Sequence, residues 1–268
     1  MVVLIVLAAA VAVLAVVLVA NAARLKPTPV LDPLPPSAAA GDDAAVERFR
    51  ALLRIPTVWD LRNPDADRTA FDGFVPALRR LYPAVFEACE LELIDGRGIS
   101  LLWKGANREL APIVLMAHHD VVDADPVGWT HDPFAADIDD GRIYARGAVD
   151  TKCVWAGLME AAERLIAEGF TPPRDVYFFS SNTEEDGGDT APHMVEHLQR
   201  IGRVPYMVVD EGGAVIDNPP LGVDIPFAVV GVSEKGVFNA SITTNADGGH
   251  AATPTLQDAT AKLVSGLD

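Results

Sequence analysis

A chain of 268 residues that is 50% hydrophobic can bury the core of one large domain plus part of another, so disorder is excluded beyond its ends. Its formal net charge is −17, and its 21 Lys and Arg are scattered instead of forming a stripe, which excludes a nucleic-acid partner. Only two cysteines occur, Cys89 and Cys153, with no CxxC pair, so any metal site must use His, Asp and Glu.

Taken in order, the chain opens with an unbroken apolar run from Val2 to Ala20. At about 1.5 Å per residue this nearly matches a hydrocarbon core of about 30 Å, so the run is expected to enter or cross a membrane. Nothing polar interrupts it to give a core-facing stripe. It lacks a basic leader, so it reads first as an uncleaved anchor; Ala20-Asn21-Ala22 keeps a cleaved signal open as the second reading. Arg24 and Lys26 would hold the following segment in the cytoplasm, yet long domains are often translocated regardless, so orientation stays open. From Lys26 to Gly41 prolines alternate with small residues, which suits an extended spacer.

The fold proper is expected from Asp42. Asp42 or Asp43 can cap a helix to about Leu53, ended by Pro56, and a second helix covers roughly Thr69 to Leu81. Strands near Glu90 to Ile94 and Ile99 to Trp103 flank the turn Asp95-Gly96-Arg97-Gly98, and Asp140-Gly141 marks a second hairpin within Asp137 to Tyr144. Apolar runs at Ile113 to Ala117, Val176 to Phe179 and Tyr206 to Val209 alternate with helices near Val154 to Glu168 and Ala191 to Ile201. This alternation gives an α/β class with a mainly parallel sheet and flanking helices.

Three of those strands break into acidic or imidazole residues at their carboxyl ends: His118-His119-Asp120, Thr183-Glu184-Glu185 and Asp210-Glu211. In open α/β sheets that edge is where ligands bind, so the clusters can converge despite their separation in sequence. Asp150, in a Gly-flanked loop leading into a helix, is placed to reach the same edge or to cap that helix. A two-metal hydrolase needs a bridging carboxylate, further His, Asp and Glu ligands, and a free carboxylate to take a proton from water. An adjacent Glu pair can divide the last tasks, and an Asp two residues after a ligating His can fix its tautomer.

The blocks Ala117 to Val122, Trp129 to Phe134, Gly141 to Lys152, Glu184-Glu185, and Val209 to Gly213 followed by Val232 to Gly236 resemble the carboxypeptidase S branch of the aminoacylase and glutamate carboxypeptidase family of di-zinc peptidases. The likeness runs from about Asp42 to the last residue. It implies a zinc exopeptidase-like catalytic domain over 42–230, after an anchor or signal at 1–22 and a Pro/Ala-rich linker at 23–41, and the start of a smaller α+β lid or dimerisation domain over 231–268. It also implies two zinc ions, with cobalt or manganese as alternatives. His118 and Asp210 would hold one ion and Glu185 the other, with Asp150 bridging. Asp120 would orient His118, and Glu184 would be the general base. Gly248-Gly249-His250-Ala251-Ala252 is similar to the family's lid motif, whose His contacts the substrate carbonyl, commonly in a partner subunit's site, so a homodimer through the lid is expected.

In that family a further zinc ligand is a late His, whereas no His follows His250 here and a lid helix expected at Leu256 to Leu267 reaches the last residues. The chain is therefore expected either to be an amino-terminal part of a longer protein or to have the remainder supplied by another chain, and to be weakly active or inactive alone. His119 is expected to point away from the ligands, and His131, His193, His197, Lys152 and Cys153 are read as structural. The expected activity is hydrolysis of a peptide or N-acyl amino acid amide bond next to a free carboxylate, by metal-bound hydroxide with Glu184 moving the proton, in a membrane-anchored or exported protein. The alternative is a non-catalytic membrane-tethered binding module with a remnant metal site.

Overall fold

A computed structural model describes residues 2–24, 42–63, 68–217, 226–232, 241–245 and 259–265. Residues 25–41 of the expected linker, the Ser233 to Gly236 block and the lid motif with His250 lie outside the described residues, while residues 23 and 24 belong to the first helix. The chain divides into two units, Met1–Arg48 and Phe49–Asp268.

In the first unit, helix α1 (Val2–Arg24) is apolar on every side, and its side chains from Val3 onward are exposed. A helix without a polar stripe has no face to prefer. Among the described residues it is the one helix long and apolar enough to cross a membrane. Helix α2 (Asp43–Leu53) begins where Asp42 Oδ1 accepts the N–H groups of Ala44 and Ala45 at 3.0 and 3.1 Å, which satisfies two amides that the first turn leaves without helical partners.

The second unit holds α3 (Thr69–Leu81), α4 (Pro83–Ala88), β1 (Cys89–Ile94), β2 (Gly98–Trp103), β3 (Ile113–Met116), β4 (Asp137–Asp139), β5 (Arg142–Tyr144), α5 (Lys152–Ala167), β6 (Val176–Ser180), α6 (Thr190–Arg200), β7 (Met207–Val209), β8 (Val215–Ile216), β9 (Phe227–Ala228) and α7 (Ala259–Ser265). The last is the described part of the expected lid helix. The short α4 had no periodicity to announce it, but Pro83 at its start is a residue suited to a first helical turn.

The central sheet has the order β1-β2-β6-β3-β7. Its middle and one edge, β6-β3-β7, are parallel, while β2 pairs antiparallel with β6 and with β1. The class is thus mixed α/β around a parallel group. Alternating side chains load the two faces. Ile99, Leu101 and Phe178 join Phe74, Leu78, Trp155 and Met159 in the larger core, against α3, α4 and α5. Val114, Tyr177 and Phe179 face the other way, onto Met194 and Leu198 of α6. Full burial of each such side chain contributes roughly 1.5–3 kcal/mol.

Both expected hairpin turns form. Asp95 and Gly96 have φ of 53° and 80°, and Asp140 and Gly141 have 48° and 71°, the paired positive values that match a tight turn to the strands' twist. Because β3, β6 and β7 are parallel, their carboxyl ends all emerge on one edge, and the site is built there.

Candidate metal centre

His118 lies two residues beyond β3, Glu184 and Glu185 four and five residues beyond β6, and Asp210 and Glu211 one and two residues beyond β7. Asp150 arrives from the loop before α5. The side chain of His118 is buried, and its Nε2 lies 2.9 Å from Asp150 Oδ1, 3.2 Å from Glu211 Oε1 and 3.7 Å from Glu184 Oε2. Two groups result: His118 with Glu184 and Glu211, and His118 with Asp150 and Glu185, each offering ligand atoms within 4.8 Å of one another. They open onto a cleft of about 660 Å³ that Asp150, Glu184, Asp210 and Glu211 also line.

On the other side of the ring, His118 Nδ1 lies 3.0 Å from the backbone oxygen of Asp120 and 3.4 Å from its Oδ1. When Nδ1 donates to that carbonyl, Nε2 turns a lone pair toward the carboxylates of Asp150 and Glu211. Like charges so close need a positive group between them, a proton or a cation. Without a cation the proton wins. Burial alone would lower the His118 pKa, but Asp120, Glu211 and Glu184 outweigh it and push it up to about 10. Asp120 Oδ1 is also buried without a hydrogen-bond partner, while its Oδ2 accepts the Glu185 N–H at 3.1 Å. An imidazole and carboxylates on one concave edge form a donor set that fits a divalent cation such as zinc.

The adjacent glutamates diverge, one into each of the two groups. Glu185 Oε1 accepts the Val122 N–H at 3.3 Å, and Glu184 faces His118 and Glu211. Burial raises the pKa of both above the usual carboxylate range; Glu211, Asp120 and Asp150 add to it at Glu184, and Asp150 and Asp120 at Glu185. Their loop is fixed by its own hydrogen bonds. Gly188 N–H donates to Thr183 O at 2.7 Å, and a Cβ on Gly188 would come within 2.5 Å of Thr183 Cβ.

Of the residues expected at the site, His118, Asp120, Asp150, Glu184 and Glu185 come together. Asp150 faces His118 and makes no cap: α5 starts at Lys152, and Thr151 before it makes no side-chain cap bond. Asp210 lines the cleft but belongs to neither group, and its Oδ1 accepts the Glu211 N–H at 2.8 Å. The carboxylate that reaches His118 from beyond β7 is that of Glu211, not of the Asp210 expected as ligand; the adjacent Asp-Glu pair is the signal in the sequence that points to it.

His119 turns away as expected, its Nδ1 2.8 Å from Ser180 Oγ and its ring stacked on Phe74 at 4.6 Å. Burial holds its pKa well below the ordinary value. His193 is 2.5 Å from Asp95 and His197 is 3.2 Å from Glu92, both remote from the cluster. Lys152, read as loop architecture, is fully buried, and burial lowers its pKa to about 7.

The sequence model of peptidase family M20/M25/M40 matches residues 114–267. N-fatty-acyl-amino acid synthase/hydrolase PM20D1 of Xenopus tropicalis is 35% identical over 212 residues, covering 78% of this chain and 41% of the relative. Carboxypeptidase S of Saccharomyces cerevisiae is 28% identical over 228 residues, covering 79% and 38%. This chain therefore spans about two fifths of the length of these relatives. Human carnosine dipeptidase 1 shares the fold with a TM-score of 0.51 at 20% identity, covering 65% of this chain and 39% of its own. The M20 family metallo-carboxypeptidase Sso-CP2 of Sulfolobus solfataricus gives 0.52 at 20%, covering 64% and 38%.

Proposed function

The chain belongs to peptidase family M20/M25/M40, and from that premise we propose that it carries the metal centre and general base of a zinc-dependent hydrolase that cuts a peptide or N-acyl amino acid amide next to a free carboxylate. The observation that carries this reading is His118 Nε2 within 2.9 to 3.7 Å of carboxylates from three separate segments, with Glu184 and Glu185 assigned to different groups around it. The names of the relatives bracket the substrate: one is a carboxypeptidase, the other an N-fatty-acyl-amino acid synthase/hydrolase.

His118, Asp150, Glu185 and a β7 carboxylate, Asp210 or Glu211, would hold the ions; bound zinc supplies Lewis acidity and lowers the pKa of water. Asp120 holds the His118 ring from behind, so that Nε2 faces the cleft. Glu184 takes the proton from the attacking water as its oxygen bonds to the amide carbon. It then returns that proton to the departing nitrogen as the C–N bond breaks, leaving a carboxylic acid and an amine, which become carboxylate and ammonium when the acid's proton passes to the amine. Its raised pKa suits both transfers. Helix α1 tethers the domain to a membrane, and His250 and a homodimeric lid complete the site in this reading.

The test is metal content and hydrolysis of N-acyl amino acids and dipeptides, measured on this chain and on one extended to the relatives' length. Zinc uptake by both, with turnover in the extended protein lost in Glu184→Gln, is the expected result. Metal binding with no hydrolysis of any substrate by the extended protein would instead identify a binding module.

A further inference from the structure

Lys152 is the first residue of α5, two positions after Asp150, and its side chain has no exposure. Its Nζ donates to Ile55 O at 2.7 Å and Leu52 O at 3.3 Å, carbonyls at the end of α2 and just beyond it that also accept the Thr57 and Ile55 N–H groups at 2.9 and 3.2 Å. The amine lies 5.5 Å from the centre of the Phe74 ring. Its backbone N–H donates to Gly147 O at 3.1 Å, and its stem lies beside Gly147, where a Cβ would be in van der Waals contact with Lys152 Cδ at 3.4 Å and crowded by Val121 Cγ1 at 2.8 Å. The loop that carries Asp150 is thus closed on itself and pinned through one side chain.

The same stretch after α2 grips the opposite wall of the site. Thr57 Oγ1 donates to His119 O, Val121 N–H donates to Thr57 O at 2.9 Å, and Trp59 N–H donates to Val121 O at 3.1 Å. Val58 and Val121 form a parallel bridge there. Residues 52–59 therefore hold both the segment with His118 and Asp120 and the loop with Asp150.

We propose that Lys152 is a positioning residue that, by binding the carbonyls of Leu52 and Ile55, fixes the Asp150 carboxylate against His118 and so preorganises these two donors for a cation. The proposal rests on the metal-centre reading. Lys152 touches neither substrate nor ion, and its effect passes through the backbone of residues 147–152. An apolar side chain of similar length could fill its space with no buried amine to desolvate, so a role in packing alone would not call for lysine.

Zinc affinity is measured by competition with a chromogenic chelator on the wild-type chain, on Lys152→Met and on Glu163→Ala. The last variant destabilises α4 far from the site and controls for a general loss of stability. The expected result is zinc binding about 10- to 100-fold weaker in Lys152→Met, the range for lost support of metal ligands, and unchanged in Glu163→Ala. Wild-type affinity in Lys152→Met, or an equal loss in Glu163→Ala, overturns the proposal. Should Lys152→Met give no folded protein by circular dichroism, Lys152→Gln, neutral but still a donor, takes its place: an intermediate loss supports the proposal and none overturns it. A wild-type chain that takes up no zinc overturns the metal-centre reading itself, and the proposal with it.

Discussion

At the scale of single residues, Glu184 carries the sharpest prediction. Glu184→Gln keeps the size of the side chain and removes the base, so turnover in the extended protein should fall by about 10²- to 10⁴-fold with zinc content unchanged. Loss of zinc together with activity would make Glu184 a ligand instead. Cys89 gives an independent check: it is buried at the start of β1, and burial pushes its thiol up to about 12. It should resist alkylation in the native chain and react once denatured, as read by mass spectrometry. At this scale the sequence was most legible where strand runs end in charge: His118, Glu184 and Glu185 could be picked out because parallel strands must deliver their carboxyl ends to one edge, and Asp150 because its loop leads into a helix beside that edge. The choice of Glu211 over Asp210 beside His118 could not be read, because both are carboxylates and they stand next to each other just beyond β7. The burial of Lys152 was hidden for another reason, since its acceptors lie about a hundred positions earlier in the chain.

At the scale of elements, α4 shows how a short helix is held. Six residues cannot sustain themselves in water, and Tyr82 before them provides no side-chain cap. Glu163 of α5 supplies it from outside, accepting the N–H groups of Ala84 and Val85 at 3.0 and 2.9 Å. Glu163→Ala should therefore cost about 1–2 kcal/mol in denaturant unfolding, while a substitution at the exposed Glu168 should cost almost nothing. Helices α2, α3, α5 and α6 were legible to within two residues because their apolar positions repeat at helical spacing. Helix α4 was not, as its stability comes from a partner some 80 residues away. Close approach sets a second limit on reading: a Cβ on Gly105 would lie 2.1 Å from the backbone carbon of Arg174, and nothing near Gly105 in the sequence announces that neighbour.

At the scale of the whole chain, α1 and the titrating groups make separate predictions. Removal of residues 2–24 should move the protein from the membrane to the soluble fraction after ultracentrifugation; unchanged membrane association would remove the case for an anchor. In metal-free protein, the His118 pKa raised to about 10 contributes stability that is complete below 6.5 and lost as pH climbs through about 10. Lys152 has the opposite sign: its pKa, lowered to about 7, imposes a cost on folding that lifts as pH rises from 7 toward 10.5. Across that window the two trends oppose each other, so in EDTA the urea midpoint of Lys152→Met should fall more steeply toward alkaline pH than that of the wild type. A fall no steeper in Lys152→Met would contradict this opposition.

The position of β7 at the margin of the sheet has a mechanical consequence. This strand is three residues long, its side chains are all exposed, and within the sheet its one described neighbour is β3. It is the support most easily pried loose, yet Asp210 and Glu211 hang from its end. A cation gripping those carboxylates together with His118 would lash the margin to the centre, so ion loading should slow deuterium uptake at Met207 to Val209 far more than at Val176 to Ser180.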